Sequence, residues 1–545
     1  MTKTMRGADI VMRALEDAGC TRVFTLSGNH IMSLFDAALE TNLDLVHVRQ
    51  EAAAVHMADA WGRLTGTPGV AMVTGGPGHA NAVPALFTAR GQDSPLVLLS
   101  GHGATTEIGR GGFQELAQAA MAAPLAKASW MATRTETLGE DVARAFRIAR
   151  SGRPGPVHLS LPSDLLDAQA VAGRQVAADF VPQSVALTAP AADAVLALVA
   201  AAERPLLIAG PSLATRRGSE LLARLGAACG MPAVVLESPR GVADATLGAF
   251  AAVIARADLI VLLAKPLDFT LKFGDLPGPA ERRWAMIDPE GAILDRATRE
   301  PAARVAFACV ADAYPAAETL IARAPGRSTP RAAWRAEAGA RLHDRPASWE
   351  GLRGAAGRLH PAELFRALRP VVAADPETVL ICDGGEFAQW GQSMLHAPRR
   401  LINGVGGSIG ASLPFAVAAR CVEPRAPVFA VLGDGTFGFH MAEFETAVRR
   451  SLPFVAIVGT DARWNAEYNL QIRDYGANRA RGCDLDRTRY DLVAAALGGH
   501  GELVERAEDL PGAIARAMAS GKPACVNVMI ESAPAPALRG DEAGG

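Results

Sequence analysis

The chain has 545 residues, half of them hydrophobic, with 54 basic and 57 acidic side chains and a net charge of −3. That length exceeds a single core and sets an expectation of about three domains. Charges of both signs are dispersed, which argues against a nucleic-acid partner, and no charge-free apolar run reaches the ~18 residues of a membrane span.

The N-terminus leads directly into a helical pattern over 8–19 and shows no signal-peptide core. The seven cysteines are scattered without a Cys-x-x-Cys pair. They read as small buried hydrophobes of a reducing compartment, and the expected location is cytoplasmic. Apolar runs at 22–26, 45–48, 69–73, 96–99 and 157–161 alternate with helical segments, the pattern of a parallel sheet covered by helices. This first domain spans 1–170, and the weakly periodic stretch from 167 to about 192 reads as a linker. A second α/β unit, 190–325, carries runs at 205–209, 233–236, 259–263 and 283–287. The Arg/Pro/Gly-rich residues 325–357 read as a second linker. The third unit, 358–535, carries runs at 379–382, 428–432, 454–458 and 524–529, and a flexible tail is expected from 533 onward, above all over 536–545. The expected fold class is α/β, with three doubly wound parallel-sheet domains.

The most informative stretch is the run 428–432, which ends in Gly433-Asp434-Gly435. A helical pattern over 441–450 follows, and the next apolar run ends at Asp461. Two parallel strands joined this way place both carboxylates on the carboxyl edge of a sheet, where open α/β sheets bind ligands. An isolated Asp-Gly is most often only a strand-to-helix turn. A second aspartate at the end of the next strand instead suggests a hard-cation site for a magnesium diphosphate.

The span Gly433 to Asp461 resembles the thiamine-diphosphate motif, which opens with Gly-Asp-Gly and usually closes with Asn-Asn; here it closes with Thr460-Asp461. The resemblance extends over nearly the whole chain to the acetolactate synthase-like group. That group also contains benzaldehyde lyase, 2-hydroxyacyl-CoA lyase and oxalyl-CoA decarboxylase. It implies pyrimidine-binding, middle and diphosphate-binding domains, with thiamine diphosphate and Mg²⁺ as cofactors. Gly433, Asp434, Gly435 and Thr436 would hold the diphosphate. The metal would take Asp434, Asp461 and the backbone carbonyl of Arg463.

The resemblance also assigns residues that composition and periodicity leave open. Glu51, in a segment from Arg49 to Arg63 similar to the family's glutamate helix, would hydrogen-bond the cofactor's pyrimidine ring and promote its imino tautomer; by itself it is a helix N-terminal acid. Thr74-Gly-Gly-Pro-Gly-His-Ala-Asn81 is a turn that lets backbone approach a ligand, and Gly76, Pro77 and Asn81 would touch the pyrimidine. Within Gly404 to Pro414, Gly407 would offer its carbonyl and Ile409 would be the wedge under the folded cofactor. His30, in a turn like that of benzaldehyde lyase, and Gln114, in Phe113-Gln114-Glu115, would face the substrate as proton relay and hydrogen-bond donor. His79 is a further catalytic candidate, although a lone histidine is more often structural. Glu467 falls in the segment expected to roof the site.

The middle domain binds FAD in acetolactate synthases and the ADP part of CoA in the CoA-using members. The segment Ala264 to Gly274 resembles the CoA lyases, whereas Gly210-Pro211-Ser212 lacks the lysine common in their Gly-Lys-Gly turn. FAD, CoA and neither all stay open. The expected reaction is carbon–carbon lysis or carboligation of a small-molecule substrate, a 2-hydroxy ketone or 2-hydroxyacyl-CoA. The alternative is an acetolactate synthase or an oxalyl-CoA or 2-oxo acid decarboxylase. A dinucleotide-binding protein would need Gly-x-Gly-x-x-Gly after the first strand, and the residues from Phe24 to Ile31 do not supply it. Because the family places the glutamate and the metal loop of one site on different subunits, a homodimer or homotetramer is expected.

Overall fold

The computed structural model describes residues 4–325, 331–355 and 358–538. They form two compact units. One comprises residues up to 183 together with 413–424 and 442–452, and the other comprises the remaining segments.

The first unit is built on six parallel strands. In spatial order they are Asp44–His47, Arg22–Thr25, Gly69–Val73, Leu96–His102, Pro156–Pro162 and Ala128–Met131. The second unit holds two parallel sheets. One orders Ala233–Val235, Pro205–Ala209, Leu259–Leu263, Arg283–Asp288 and Val305–Val310. The other orders Arg399–Ile402, Val379–Asp383, Val428–Gly433, Val455–Thr460, Ala524–Met529 and His500–Val504. The two six-stranded sheets have the same order. In each, the chain winds out from the first strand to one side and then reverses to the other, so the switch point lies between the first and third strands in sequence. All three sheets are of the doubly wound α/β type.

Central strands such as Gly69–Val73, Leu96–His102, Leu259–Leu263 and Val379–Asp383 are buried along their whole length. A parallel sheet covered on both faces requires uninterrupted apolar strands, so these appear in the sequence as runs. Four strands of these sheets lie outside the runs expected from the sequence, Ala128–Met131, Val305–Val310, Arg399–Ile402 and His500–Val504, although Val305–Val310 is itself apolar throughout. Each lies at a sheet edge and is partly exposed. An edge strand has one open flank and tolerates polar residues there.

Three further expectations are corrected. The stretch from 167 to 192 is not a plain linker: Gln169–Val171 pairs antiparallel with Thr4–Arg6, and Phe180 packs on Phe146 at 6.0 Å between ring centroids. Between 331 and 355, a helix Ala332–His343 anchors Trp334, whose indole donates to the Pro205 carbonyl at 2.9 Å. The expected end of order at 533 is too early, because Asn465 and Trp390 donate to the carbonyls of Ala533 and Pro534, each at 2.9 Å. The rest of the tail call, 539–545, and residues 326–330 and 356–357 of the second linker call lie outside the described residues. Among the described residues, no helix is long and apolar enough to cross a membrane.

Candidate active site

In the C-terminal sheet, the switch point falls between Val379–Asp383 and Val428–Gly433. Residues that end or follow these strands and their neighbours Arg399–Ile402 and Val455–Thr460 line a cleft of about 510 Å³, open solvent at its mouth included. Gly385, Ile409, Gly433, Asp434, Asp461 and Arg463 are among them, as are Gly435, Thr436 and Glu467. The chain turns into the helix Asp434–His440 immediately at the aspartate, so one expected helix over 441–450 is in fact the second of two short ones, Asp434–His440 and Glu443–Arg449.

Asp434 is buried, 2 % exposed, and its carboxylate accepts from the Gly435 and Ala462 amides, each at 2.8 Å. Burial pushes its pKa up to about 6. Asp461 rises to about 7, first through burial and then through the like charge of Asp434, against a hydrogen bond from the Ser532 hydroxyl at 3.2 Å. Two buried carboxylates, one raised further by the charge of the other, form a site that a cation would relieve. Among the described residues there is no group of three or more His, Cys, Asp or Glu suited to a metal. Two carboxylates completed by backbone and ligand oxygens would suit a hard cation that keeps phosphate or water ligands. The Arg463 guanidinium is engaged by Asp484 and lies 3.9 Å over the Tyr468 ring, so its contribution to the cleft is backbone. The neighbouring ladder bonds use the Trp464 amide and the Ala462 carbonyl and leave the Arg463 carbonyl out.

Residues around the metal turn also shape the cleft. Ala462 adopts φ 60°, a conformation disfavoured for a residue with a Cβ, at the turn that delivers its amide to Asp434. A Cβ on Gly435 would meet the Trp464 ring at 2.6 Å, so only glycine fits beside that indole. Asp383, held up to about 6 by burial, accepts from the amides of Gly410 and Ser412 at 2.9 Å each. It thereby fixes the C-terminal end of the loop that carries Gly407, at φ 68°, and Ile409. Asp383 did have a signal: Cys382-Asp383-Gly384-Gly385 repeats the strand–Asp–Gly pattern of 432–435.

In the first unit, the switch point lies between Arg22–Thr25 and Gly69–Val73. The turns that follow them meet. The Thr74 hydroxyl accepts from the His30 amide at 3.3 Å and faces His30 Nδ1 at 3.3 Å. Glu51 is the first residue of the helix Glu51–Thr65, which the Gln50 side chain caps by accepting from the Ala52 and Ala53 amides. The Asn81 amide donates to Glu51 Oε2 at 3.1 Å, and Glu51 Oε1 lies 3.4 Å from where a Cβ on Gly78 would sit. Gln114 stands against Gly76: a Cβ there would fall 2.6 Å from the Gln114 Cβ and carbonyl oxygen. Pro77 and Asn81 are exposed on this turn. The structure thus gathers His30, Glu51, Gly76, Asn81 and Gln114 around Thr74. Burial lowers the His30 pKa from its usual 6.5, so the imidazole is neutral at neutral pH.

His79 points the other way. It is 0 % exposed, its Nδ1 bonds the Ser100 hydroxyl at 2.8 Å, and its ring lies 4.5 Å from that of His158. Burial lowers its pKa to about 4. A group with no exposed atom cannot touch a substrate, and the catalytic role considered for His79 is withdrawn in favour of a structural one. His79→Asn is expected to lower the melting temperature, by the ~1–3 kcal/mol of a disturbed buried polar contact, while kcat per folded subunit stays within about twofold of wild type. Thermal melts beside active-site-normalised kinetics check this; a large kcat loss at unchanged stability would restore the catalytic reading.

The middle sheet's switch point is closed by backbone. The Gly210 amide donates to the Leu263 carbonyl at 3.0 Å, and a Cβ on Gly210 would fall 2.0 Å from the Ala264 carbonyl oxygen. Lys265 is buried and paired with Asp268 at 2.8 Å.

Residues 5–121 match the family model "Thiamine pyrophosphate enzyme, N-terminal TPP binding domain", and 383–528 match its C-terminal TPP binding domain. The chain is 31% identical over 541 residues to an acetolactate synthase large subunit of Mycobacterium tuberculosis, covering 97% of this chain and 96% of that protein. It is 30% identical over 560 residues to a 2-hydroxyacyl-CoA lyase of Oryza sativa, covering 96% and 95%. It is 28% identical over 551 residues to human 2-hydroxyacyl-CoA lyase 2, covering 92% and 85%. The chain belongs to the thiamine pyrophosphate-dependent enzymes, in the group that holds acetolactate synthases and 2-hydroxyacyl-CoA lyases, and its cofactor is thiamine diphosphate.

Proposed function

We propose that this enzyme makes or breaks the bond between a carbonyl carbon and the neighbouring hydroxyl-bearing carbon of a 2-hydroxy ketone or a 2-hydroxyacyl-CoA. The observation that carries the reading is the pairing of His30 and Gln114 on either side of the Thr74–Gly76 turn. Thiamine diphosphate, when bound, supplies the carbon nucleophile and electron sink of the reaction. Asp434, Asp461 and the Arg463 carbonyl would hold its Mg²⁺, while Gly433, Gly435 and Thr436 would border the diphosphate and Ile409 would support the cofactor from below. Glu51, oriented by Asn81, would hold the proton to be shared with the pyrimidine ring. His30, neutral because it is buried, takes the proton of the substrate hydroxyl as the carbon–carbon bond breaks, and returns it in the direction of ligation. The Gln114 amide donates to the substrate oxygen.

A second reading, acetolactate synthesis, is favoured by the M. tuberculosis relative. The two readings share the same acid–base residues and differ in substrate. By the same resemblance the working enzyme is at least a homodimer, which sedimentation velocity would check.

The discriminating experiment offers benzoin, acetoin, a 2-hydroxyacyl-CoA, pyruvate and oxalyl-CoA to one preparation of wild type and of His30→Ala. The variant is expected to lose ~10²–10⁴-fold on 2-hydroxy ketone or 2-hydroxyacyl-CoA cleavage, the scale of one acid–base group, and much less on decarboxylation, which has no hydroxyl proton to remove. Turnover of pyruvate to acetolactate alone selects the second reading. Turnover of pyruvate or oxalyl-CoA only by decarboxylation, with His30→Ala silent, overturns both.

A further inference from the structure

One buried amide in the first unit is not used by the chemistry above. Gln118 opens the helix Gln118–Ala122, four residues beyond Gln114, and is 1% exposed. Both ends of its side chain are engaged. Oε1 accepts from the Gly76 amide at 2.8 Å; Nε2 donates to the Gly101 carbonyl at 3.0 Å and to the Ser160 hydroxyl at 2.8 Å. These partners lie at or just beyond the C-terminal ends of three strands, Gly69–Val73, Leu96–His102 and Pro156–Pro162. A carboxylate could not donate to Gly101, and an aliphatic side chain could make none of the three bonds. A second tie comes from His102, whose ring nitrogens face the carbonyls of Gly103 and Leu116 at 3.0 and 3.2 Å.

What this anchor supports is strained. Gly76 sits at φ 58° and Gln114, which is not glycine, at φ 57°. The two are in close contact, since any Cβ on Gly76 would lie 2.6 Å from Gln114. A residue with a side chain held in the left-handed region persists only where its surroundings over-determine it. Gln118 fixes one side of that contact directly, through the Gly76 amide. It fixes the other through the chain, because the loop bearing Gln114 re-enters the fold at Gln118.

We propose that Gln118 is the positioning residue that holds Gln114 against the Gly76 turn in its reactive placement. This rests on the reading in which Gln114 faces the substrate. Gln118 itself touches neither substrate nor cofactor, so its removal acts on kcat through Gln114. A misplacement of about 1 Å in a reacting group is worth up to ~10²-fold in rate.

The test uses the full-length holoenzyme and four variants: Gln118→Leu, Ser160→Ala, Gln114→Ala and Gln118→Leu/Gln114→Ala. Gln118→Leu is expected to lower kcat by ~10- to 100-fold with KM and thiamine diphosphate affinity within about threefold. Ser160→Ala, which removes only one of the three bonds, should move kcat the same way by less, and it serves if Gln118→Leu folds poorly. In the Gln114→Ala background, Gln118→Leu should cost nothing further, because coupled residues are non-additive. Independently of activity, hydrogen–deuterium exchange of the apoprotein should show faster exchange over 74–78 and 112–118 in Gln118→Leu and little change in the helix Glu51–Thr65. Additive losses in the double variant, or faster exchange with unchanged kcat, would overturn the proposal and leave Gln118 a stability residue. If Gln114→Ala alone leaves kcat unchanged, the underlying reading of Gln114 fails, and the proposal with it.

Discussion

Glu51→Gln is expected to leave thiamine diphosphate bound while slowing exchange of its C2 proton by ~10²–10⁴-fold, the range for loss of one acid–base group. Glutamine has the shape of glutamate and can still accept from Asn81, whose amide lies 3.1 Å from Glu51 Oε2. The Gln50 cap and the helix Glu51–Thr65 do not depend on the charge, so the fold should hold. What is lost is the capacity to share a proton with the pyrimidine ring. Deuterium exchange at C2, followed by proton NMR after acid quench, measures this apart from any substrate. Exchange close to the wild-type rate would remove Glu51 from the mechanism.

The second large effect separates the two aspartates of the diphosphate cleft. Asp434→Ala should abolish Mg²⁺-dependent cofactor binding, whereas Asp461→Asn should be tolerated. Asp434 is both a metal donor in the proposed site and the acceptor for two turn amides, Gly435 and Ala462. Its loss leaves those donors without their carboxylate and the left-handed Ala462 without its anchor, a structural cost of ~1–3 kcal/mol beside the lost ligand. Asp461 has opposing effects. Its charge attracts the cation but repels both Asp434 and the diphosphate, and the first repulsion already shows in its raised pKa. Asparagine keeps an oxygen donor and removes the repulsion. Quenching of Trp464, which stands against Gly435, offers a direct readout of binding during Mg²⁺ and thiamine diphosphate titrations. Equal and mild effects of the two substitutions would count against this assignment of roles.

The sequence by itself determined the class of each sheet and the place of the metal turn. Buried parallel strands are apolar nearly throughout, so 69–73, 205–209, 259–263 and 524–529, the last with only Asn527 polar, could be read to the residue. The strand–Gly-Asp-Gly–helix pattern followed by a strand ending in Asp461 could put both carboxylates only on one sheet edge. Four of the six edge strands of the parallel sheets escaped: three carry polar residues along an open flank, and Val305–Val310, though apolar, alternates half-buried and exposed positions. The ordered segments at 169–171 and 331–343 also escaped, because what orders them is distant in sequence: Thr4–Arg6 for the first and the Pro205 carbonyl for the second. Tertiary structure alone decided how the candidate residues sort. His30 and His79 are the same residue type in similar glycine-bearing turns, yet one meets Thr74 beside Gln114 and the other turns inward to Ser100 and His158. A turn motif fixes where the backbone goes but not which face each side chain takes, and that face is set by what packs behind it. Gln118 and Asp383 accept from amides 42 and 27 positions away in sequence, Ala462 donates its amide to a carboxylate 28 positions away, and no local pattern reports such a bond.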